Sequence, residues 1–395
     1  MAQHTLTDNL QFPESDSLAK AFFGVAVVGI VASLIGFFVN TEQFYFSYLT
    51  NFSFVATISL AALFFVMLQH ITSSSWSVVL RRIPETFAYL LFMLAILFIP
   101  IFFGMQHLYE WSRPEVLAAD DLAQYKEPYL NTTFFIIRNI FYFVIWSFLG
   151  WKLYQNSVKM DKQGADASTY KSQKIISGPG ILLFGFTVAF ASFDWLMSLE
   201  FHWFSTMFGV YLFAMSFQVF LAIAILICLY LRKQGLLRNT IRMPHFEDLG
   251  KLLFGFTVFY AYIAFSQFML YYYANIPEHT MWYYNRLQGS WETITWMLLF
   301  GRFVVPFILL LGLWAKSNLK LLAGLSVLIV VMHFIEVFWI VTPVLHEAGI
   351  TVHWLDITLL LAFAGLFFGL FFQKFKSNSM VPKNDPLLAE SLNKH

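Results

Sequence analysis

The chain has 395 residues, of which 59% are hydrophobic and only 12% are charged, and its net charge is +1. A soluble globular protein carries roughly 25% charged residues, so most of this chain is not expected to face water. A net charge near zero gives no support to nucleic-acid binding. The single cysteine, Cys228, can form no internal disulfide and cannot supply the four thiolates that an iron–sulfur cluster usually takes. Composition therefore predicts an integral membrane protein that holds no such cluster itself.

The N-terminal segment is polar, with acidic side chains at Asp8, Glu14 and Asp16. It lacks the basic segment and the small-residue cleavage site of a signal peptide, so we expect an uncleaved first span. A span takes about 20 mostly apolar residues, and hydropathy predicts ten spans. They are 19–40, 46–69, 84–106, 130–154, 178–199, 204–231, 250–274, 291–315, 319–342 and 353–373. The chain then divides into a tail (1–18), a membrane domain (19–373) and a second tail (374–395). Polar connections are predicted at 152–176, 232–250 and 106–129.

The distribution of Lys and Arg predicts the orientation, because these residues stay in cytoplasmic loops. With both termini inside, 19 of the 24 Lys and Arg residues fall on the cytoplasmic side. Only Arg113, Lys126 and Arg286 fall outside, and Arg138 and Arg302 lie within helices. Such a strong asymmetry requires an even number of spans. We therefore predict an all-α, multi-pass protein with both termini in the cytoplasm.

One heptapeptide, LLFGFTV, occurs twice, at 182–188 and 252–258. Both copies begin helices that run outward, the fifth and the seventh. One interpretation is a duplicated helix bundle. The other is a recurring small-residue surface, in which Gly185 and Gly255 let helices approach closely.

Ionisable residues at mid-depth are the first candidates for function, because each costs about 2.5–3.5 kcal/mol to insert. His333 and Glu336 lie midway along the ninth helix, three residues apart and on one face. They form either a proton-relay or quinone-associated pair, or a structural pair that satisfies itself. Arg302, midway along the eighth helix, requires a counter-ion, for which Glu336 and Asp194 are the candidates. Gln267 in the seventh helix extends a hydrogen-bonded path or joins helices.

Further candidates lie toward the outer face. Asp194 is in the outer third of the fifth helix, and Glu200 and His202 are at its outer end, where solvent contact is expected. Arg138 in the fourth helix is expected to snorkel outward. A group of His and acidic residues near the last outer loop is expected to form a wet surface that docks a periplasmic partner. This group contains His346, Glu347, His353 and Asp356.

Motifs for soluble chemistry and for metal binding are missing from the sequence. It contains no P-loop, no nucleophile elbow and no HExxH, and no pair of residues has the spacing of a metal site. A membrane haem with two histidine ligands needs paired histidines at mid-depth, and only His333 is predicted there. We therefore expect no metal ligand or bound haem in this chain.

Two long aromatic-rich stretches resemble one known family. They are GFTVAFASFDWLMSLEFHWFSTMFGVY (185–211) and FYAYIAFSQFMLYYYANIPEHTMWYYNRLQGSW (259–291). They are similar to the ActF-type membrane subunits of bacterial alternative complex III, in the NrfD-like group of polysulfide-reductase membrane subunits. Length and helix number agree along essentially the whole chain. Asp194, Glu200 and His202 fall in the first stretch and Gln267 in the second.

The resemblance implies two four-helix bundles flanked by two peripheral helices, in the bacterial inner membrane. It also implies partners: periplasmic multihaem cytochrome c and iron–sulfur subunits, a paralogous ten-helix subunit and a terminal oxidase. In such complexes the paralogue beside the clusters is the better candidate for the quinol site. This subunit would then conduct protons or act as a scaffold, with menaquinol nearby.

The expected function is therefore that of a respiratory membrane subunit that supports quinol oxidation. Its proton path is predicted to use Asp194, Gln267, Arg302, His333 and Glu336, next to a quinone-sized crevice near the outer ends of the helices. One alternative is a structural anchor for periplasmic redox subunits. Another is a secondary transporter, which predicts broken helices at matching positions in two halves. Pro306 is the one proline predicted well inside a helix, and it has no counterpart in another half.

Overall fold

The structure is a computed structural model that describes residues 6, 8–13, 17–164 and 166–394. Of the acidic residues in the N-terminal tail, Glu14 and Asp16 lie outside the described residues. Helices make up 80% of the chain, and the described part contains no strand. The all-α prediction is confirmed.

Ten helices of 21 to 32 residues in the described part are long and apolar enough to cross a membrane. They are α1 (Ser17–Val39), α2 (Thr41–Ile71), α3 (Arg82–Phe103), α4 (Thr132–Gln163), α5 (Ala167–Trp195), α6 (Phe208–Lys233), α7 (Met243–Ala274), α8 (Trp291–Leu311), α9 (Leu319–Val344) and α10 (Trp354–Phe375). At 1.5 Å per residue, each is long enough for a hydrocarbon core of about 30 Å. All ten predicted spans are confirmed.

The helices pack as two bundles with two peripheral helices. Helices α2–α5 form the first bundle and α6–α9 the second, and contacts of α2 with α6 and α9 join the two. Helix α1 packs chiefly on α10, which also contacts α2 and α3. The two helices at the centre are the most covered, with 89% of the apolar stretch of α2 and 83% of that of α6 buried.

Both ends of the chain lie at the same end of the bundle. The carbonyl of Leu10 accepts a hydrogen bond from the amide of Met380 at 2.8 Å, and Phe12 stacks on Phe372. The Lys- and Arg-rich connections also lie at this end, which the positive-inside rule predicts to be the cytoplasmic side. Residues 376–394 fold back across it, where Asp385 pairs with the buried Arg81 at 2.6 Å.

The segment 152–176 is polar but is not the long connection that was predicted, because α4 and α5 continue far beyond the apolar core. Lysine-rich sequence forms helix well outside the membrane, and hydropathy does not detect such extensions. The turn itself is very short. Gly164 takes φ +92°, and the side chain of Asp166 caps α5 by accepting from the amides of Ser168 at 3.0 Å and Thr169 at 3.2 Å.

The repeated LLFGFTV segment does not mark a packing surface. A Cβ added to Gly185 or Gly255 would meet nothing within 4 Å, so these glycines do not allow a close approach between helices. The heptapeptide repeat does not mark a duplicated bundle either, because its copies begin non-corresponding helices: α5 is the fourth helix of its bundle and α7 the second. The two copies share instead a buried threonine: Thr187 accepts from the indole of Trp146 at 2.8 Å, and Thr257 from the amide of Gln218 at 3.0 Å.

Candidate functional site

The site begins with an irregular segment in α8. The helix changes to a π-helix over Leu299–Val304 and returns to α-helix at Val305–Leu311. A π segment holds an extra residue in its turn and frequently marks a functional position. Pro306, which has no amide proton to donate, follows directly. The prediction that Pro306 is the one proline well inside a helix is wrong, because Pro100 and Pro179 also lie inside helices.

Arg302 lies in this π segment and points into the second bundle, where its side chain is fully buried. Its guanidinium forms an ion pair with Glu336 of α9. It also donates to the side-chain oxygen of Gln218 at 2.9 Å, the carbonyl of Met215 at 2.9 Å and Nδ1 of His333 at 3.1 Å. Of the two candidate counter-ions, Glu336 and Asp194, the one that pairs with Arg302 is Glu336.

His333 and Glu336 do not bond to each other; each contacts the guanidinium that lies between them. Because arginine only donates, Nδ1 of His333 is the acceptor and the ring proton of the neutral imidazole lies on Nε2. Nε2 is 2.9 Å from the hydroxyl of Thr57 on α2. The histidine therefore joins the second bundle to the central helix of the first.

Glu336 is bonded by three side chains. One oxygen accepts from the hydroxyls of Tyr211 on α6 and Tyr260 on α7, the latter at 2.6 Å, and the other binds Arg302. The Arg302 guanidinium also lies 4.6 Å from the ring centroid of Tyr260. A buried charge is tolerated when it is paired and hydrogen-bonded in this way. We call Tyr211, Tyr260, Arg302, His333 and Glu336 the charge cluster.

A crevice of about 800 Å³ between α7 and α8 reaches the charge cluster. Its walls are mainly apolar, and several wall residues are largely exposed on the lipid-facing surface of the protein, among them Phe265 and Leu299. Glu336, Tyr211 and Tyr260 line one region of the crevice, and Gln267, Tyr283 and Trp282 line another. The crevice therefore leads from exposed apolar residues on the surface of the bundle to the residues around the buried carboxylate.

Asp194 lies in the first bundle, apart from the charge cluster. Arg138 donates two hydrogen bonds to its carboxylate, at 2.9 Å and 2.7 Å, and the hydroxyl of Tyr142 donates a third to the same carboxylate at 3.0 Å. The expectation that Arg138 snorkels outward is wrong, because its side chain is 7% exposed and lies 3.9 Å from the ring centroid of Tyr129. The ion pair with Asp194 holds the Arg138 side chain within the bundle.

The remaining predicted residues lie near the outer face. Glu200 pairs with Arg286 at 2.7 Å, and Arg286, predicted only as a loop residue, is fully buried. His202 is exposed and pairs with Asp120 at 2.7 Å. The amide of Gln267 lies in the crevice wall. The predicted path thus divides into three groups, and in the described residues no hydrogen bond joins Asp194, Gln267 and the charge cluster to one another.

The outer histidine and acidic group is partly buried rather than a wet surface. Asp356 is 3% exposed and accepts from the hydroxyl of Ser47 at 2.5 Å. His346 lies 2.7 Å from the amide oxygen of Gln43, and burial lowers the pKa of His346. Within the described ranges, no three His, Cys, Asp or Glu side chains are placed to hold a metal ion.

Sequence reasoning missed two members of the charge cluster, Tyr211 and Tyr260, and two residues bonded to it, Gln218 and Thr57. Tyr211 and Tyr260 fall within the two aromatic stretches, but an isolated tyrosine in an aromatic-rich helix gives no signal of its own. Only the helix packing identifies which of the 18 tyrosines bond to the carboxylate. No family model matches this chain, and no curated protein matches it.

Proposed function

We propose that the chain is a quinol-binding membrane subunit of a respiratory complex of the alternative complex III type. One observation carries the proposal: an apolar crevice that opens toward lipid ends at the fully buried Glu336, which is bonded to Tyr211, Tyr260 and Arg302. The chain then takes part in quinol oxidation directly, beyond the scaffold or proton-conducting role that the resemblance alone implies.

The shape and the chemistry of the crevice suit a quinol. Sites for small molecules measure about 300–1,000 Å³, with mainly apolar walls and a few placed polar groups, and this crevice of about 800 Å³ falls in that range. A quinol is apolar enough to diffuse in lipid and carries two hydroxyls to bond. Opening between α7 and α8 gives direct access from the membrane.

The charge cluster is suited to take up protons from the quinol. Oxidation of a quinol to a quinone releases two electrons and two protons, and Glu336 would take the protons one after the other, releasing the first to water before it accepts the second. The electrons would pass to a haem c or iron–sulfur cluster of a periplasmic partner subunit. Tyr260 and Tyr211 already donate to Glu336, so a proton given to a tyrosine oxygen would displace the tyrosine's own proton onto the carboxylate. Arg302 binds the other oxygen of this carboxylate and so holds Glu336 in place.

The resemblance supplies the setting of the proposal. A ten-helix subunit of this type sits in a bacterial inner membrane beside a paralogous ten-helix subunit, with periplasmic multihaem cytochrome c and iron–sulfur subunits and a terminal oxidase as partners. The ten spans, and the position of both chain ends on one side of the bundle, are compatible with this setting.

The test uses the intact complex and a matched pair of substitutions. Glu336→Gln is expected to lower the rate of quinol oxidation by about 10²-fold or more, because it removes a positioned proton acceptor. Tyr260→Phe is expected to lower this rate by about tenfold. Asp194→Asn, which alters a similar Arg–carboxylate pair away from the crevice, is expected to retain the rate. Equal rates for Glu336→Gln and the unaltered protein, in complexes of normal subunit content, would refute the proposal.

The anchor hypothesis finds support in the pairs Arg138–Asp194 and Arg286–Glu200, which are fixed by neighbouring groups and suit a structural role. It predicts that paired apolar replacements of all buried charges, including Arg302 with Glu336, leave turnover unchanged. The transporter hypothesis has less support, because it predicts broken helices at matching positions in the two halves. Helix α8 is interrupted at Arg302, whereas α4, the third helix of the other bundle, is α-helical through Arg138.

A further inference from the structure

The crevice has a second polar region, formed by Gln267 of α7 and Tyr283. Gln267 is buried, accepts from the hydroxyl of Ser205 at 3.0 Å and donates to the hydroxyl of Tyr283 at 3.0 Å. The hydroxyl of Tyr283 thus accepts one hydrogen bond, and no acceptor for its own proton lies among the described residues. Tyr283 and Gln267 both line the crevice, so this proton is available to a ligand there.

The two polar regions are complementary in hydrogen bonding. Tyr211 and Tyr260 use their protons on Glu336, so this end of the crevice offers acceptors and suits a ligand hydroxyl. The Tyr283 end offers a donor and suits a ligand oxygen. A ligand that bonds at both ends therefore carries a hydroxyl at one position and an oxygen acceptor at another.

The spacing of the two ends restricts where these oxygens lie. Tyr260 and Gln267 are seven residues apart on one face of α7, which is about 10.5 Å along the helix axis. The two polar regions therefore lie at different depths along one wall of the crevice. A ligand that bonds to both regions must carry its two oxygens at separate positions.

We infer that Tyr283, positioned by Gln267, bonds the second oxygen of the quinol and so selects for a ligand that carries two oxygens. This inference rests on the proposed function and deepens it. The Glu336 end accepts the reacting hydroxyl, and the Tyr283 end fixes the ring so that this hydroxyl meets the charge cluster. Tyr283 is accordingly a determinant of specificity and orientation, remote from the proton acceptor.

The experiment compares two probes that differ by one oxygen, 2,3-dimethyl-1,4-naphthoquinol and 2,3-dimethyl-1-naphthol. Their affinities are measured anaerobically for the intact complex in nanodiscs by calorimetry. A neutral hydrogen bond corresponds to about a five- to tenfold difference in affinity. We therefore expect the unaltered protein to prefer the naphthoquinol by about that factor, and Tyr283→Phe to reduce the preference to less than about twofold.

Two controls separate the possible outcomes. Tyr284→Phe changes a neighbouring tyrosine that is 53% exposed and lies outside the crevice, and it should keep the full preference. Unchanged affinity of Tyr283→Phe for the mono-oxygen probe shows that the crevice is intact. If both probes bind but Tyr283→Phe keeps the preference, the inference is overturned while the proposed function stands. If neither probe binds the unaltered protein, the proposed function is overturned and the inference with it.

Discussion

Removal of Arg302 alone should destabilise the protein more than removal of Arg302 and Glu336 together. Arg302→Gln leaves the carboxylate of Glu336 buried without its counter-ion and removes bonds to Gln218, His333 and the carbonyl of Met215. Breaking a buried ion pair in this way costs about 3–5 kcal/mol. Glu336→Gln leaves a buried guanidinium unneutralised and should cost about the same. The double variant buries no net charge, so coupling of about 2–3 kcal/mol is expected.

The free energy of unfolding can be measured for all four proteins by steric trapping in bicelles. The matched control is the pair of Lys251 with Asp248, 3.1 Å apart, in which the lysine side chain is 52% exposed. Lys251→Gln should change stability by less than about 1 kcal/mol, as expected for a surface pair. If the double variant loses as much stability as the two single variants combined, the pair is not coupled and the interpretation of the cluster is wrong.

Three further changes test the packing around the site. Arg286→Gln should lower the free energy of unfolding by about 2 kcal/mol, which is less than the loss for Arg302→Gln because Glu200 is partly exposed. Urea titration in micelles measures this free energy, and a change below about 0.5 kcal/mol would contradict the prediction. Gly29→Val places a Cβ 2.4 Å from the backbone of α10 and should free α1 for proteolysis, whereas Gly24→Val, with nothing within 4 Å, should not. Asp385→Asn removes the partner of a buried arginine and should release the C-terminal segment to carboxypeptidase, unlike the unaltered chain.

The spans could be predicted from the sequence because lipid imposes a simple rule on each segment separately. Every backbone group must be bonded within the helix, and about 20 apolar residues are required. Outside the hydrocarbon region this constraint is lost, so hydropathy did not find the helical extensions of α4 and α5. The lysines of this region are good helix formers that remain in water, which composition alone reports as loop.

The candidate site was only partly predictable, for a different reason. Depth along a helix identified Arg302, His333 and Glu336 as costly groups, since burial of charge is penalised wherever the partner lies. Partner choice depends on the rotation and packing of helices, which one sequence does not contain. Arg138 was thus assigned to the outer surface although it pairs with Asp194, and the tyrosines bonded to Glu336 could not be distinguished from the others.

Each bundle places an arginine of its third helix against a carboxylate of its fourth, yet the two pairs differ in access. Around Asp194, the rings of Tyr129 and Phe134 lie over the Arg138 guanidinium, at 3.9 Å and 4.4 Å, and α4 is regular. Around Glu336, the π segment of α8 borders a crevice that reaches the carboxylate.

This contrast leads to a last prediction, on access from the membrane. A lipid-soluble carbodiimide, which modifies carboxyl groups in apolar surroundings, should label Glu336 and not Asp194 when membranes are treated, and excess naphthoquinol should protect Glu336. Peptide mass spectrometry reports both positions in the same sample, so Asp194 is the internal control. Equal labelling of the two carboxyls, or labelling of Glu336 that naphthoquinol does not reduce, would contradict the assignment of the crevice as the route to the charge cluster.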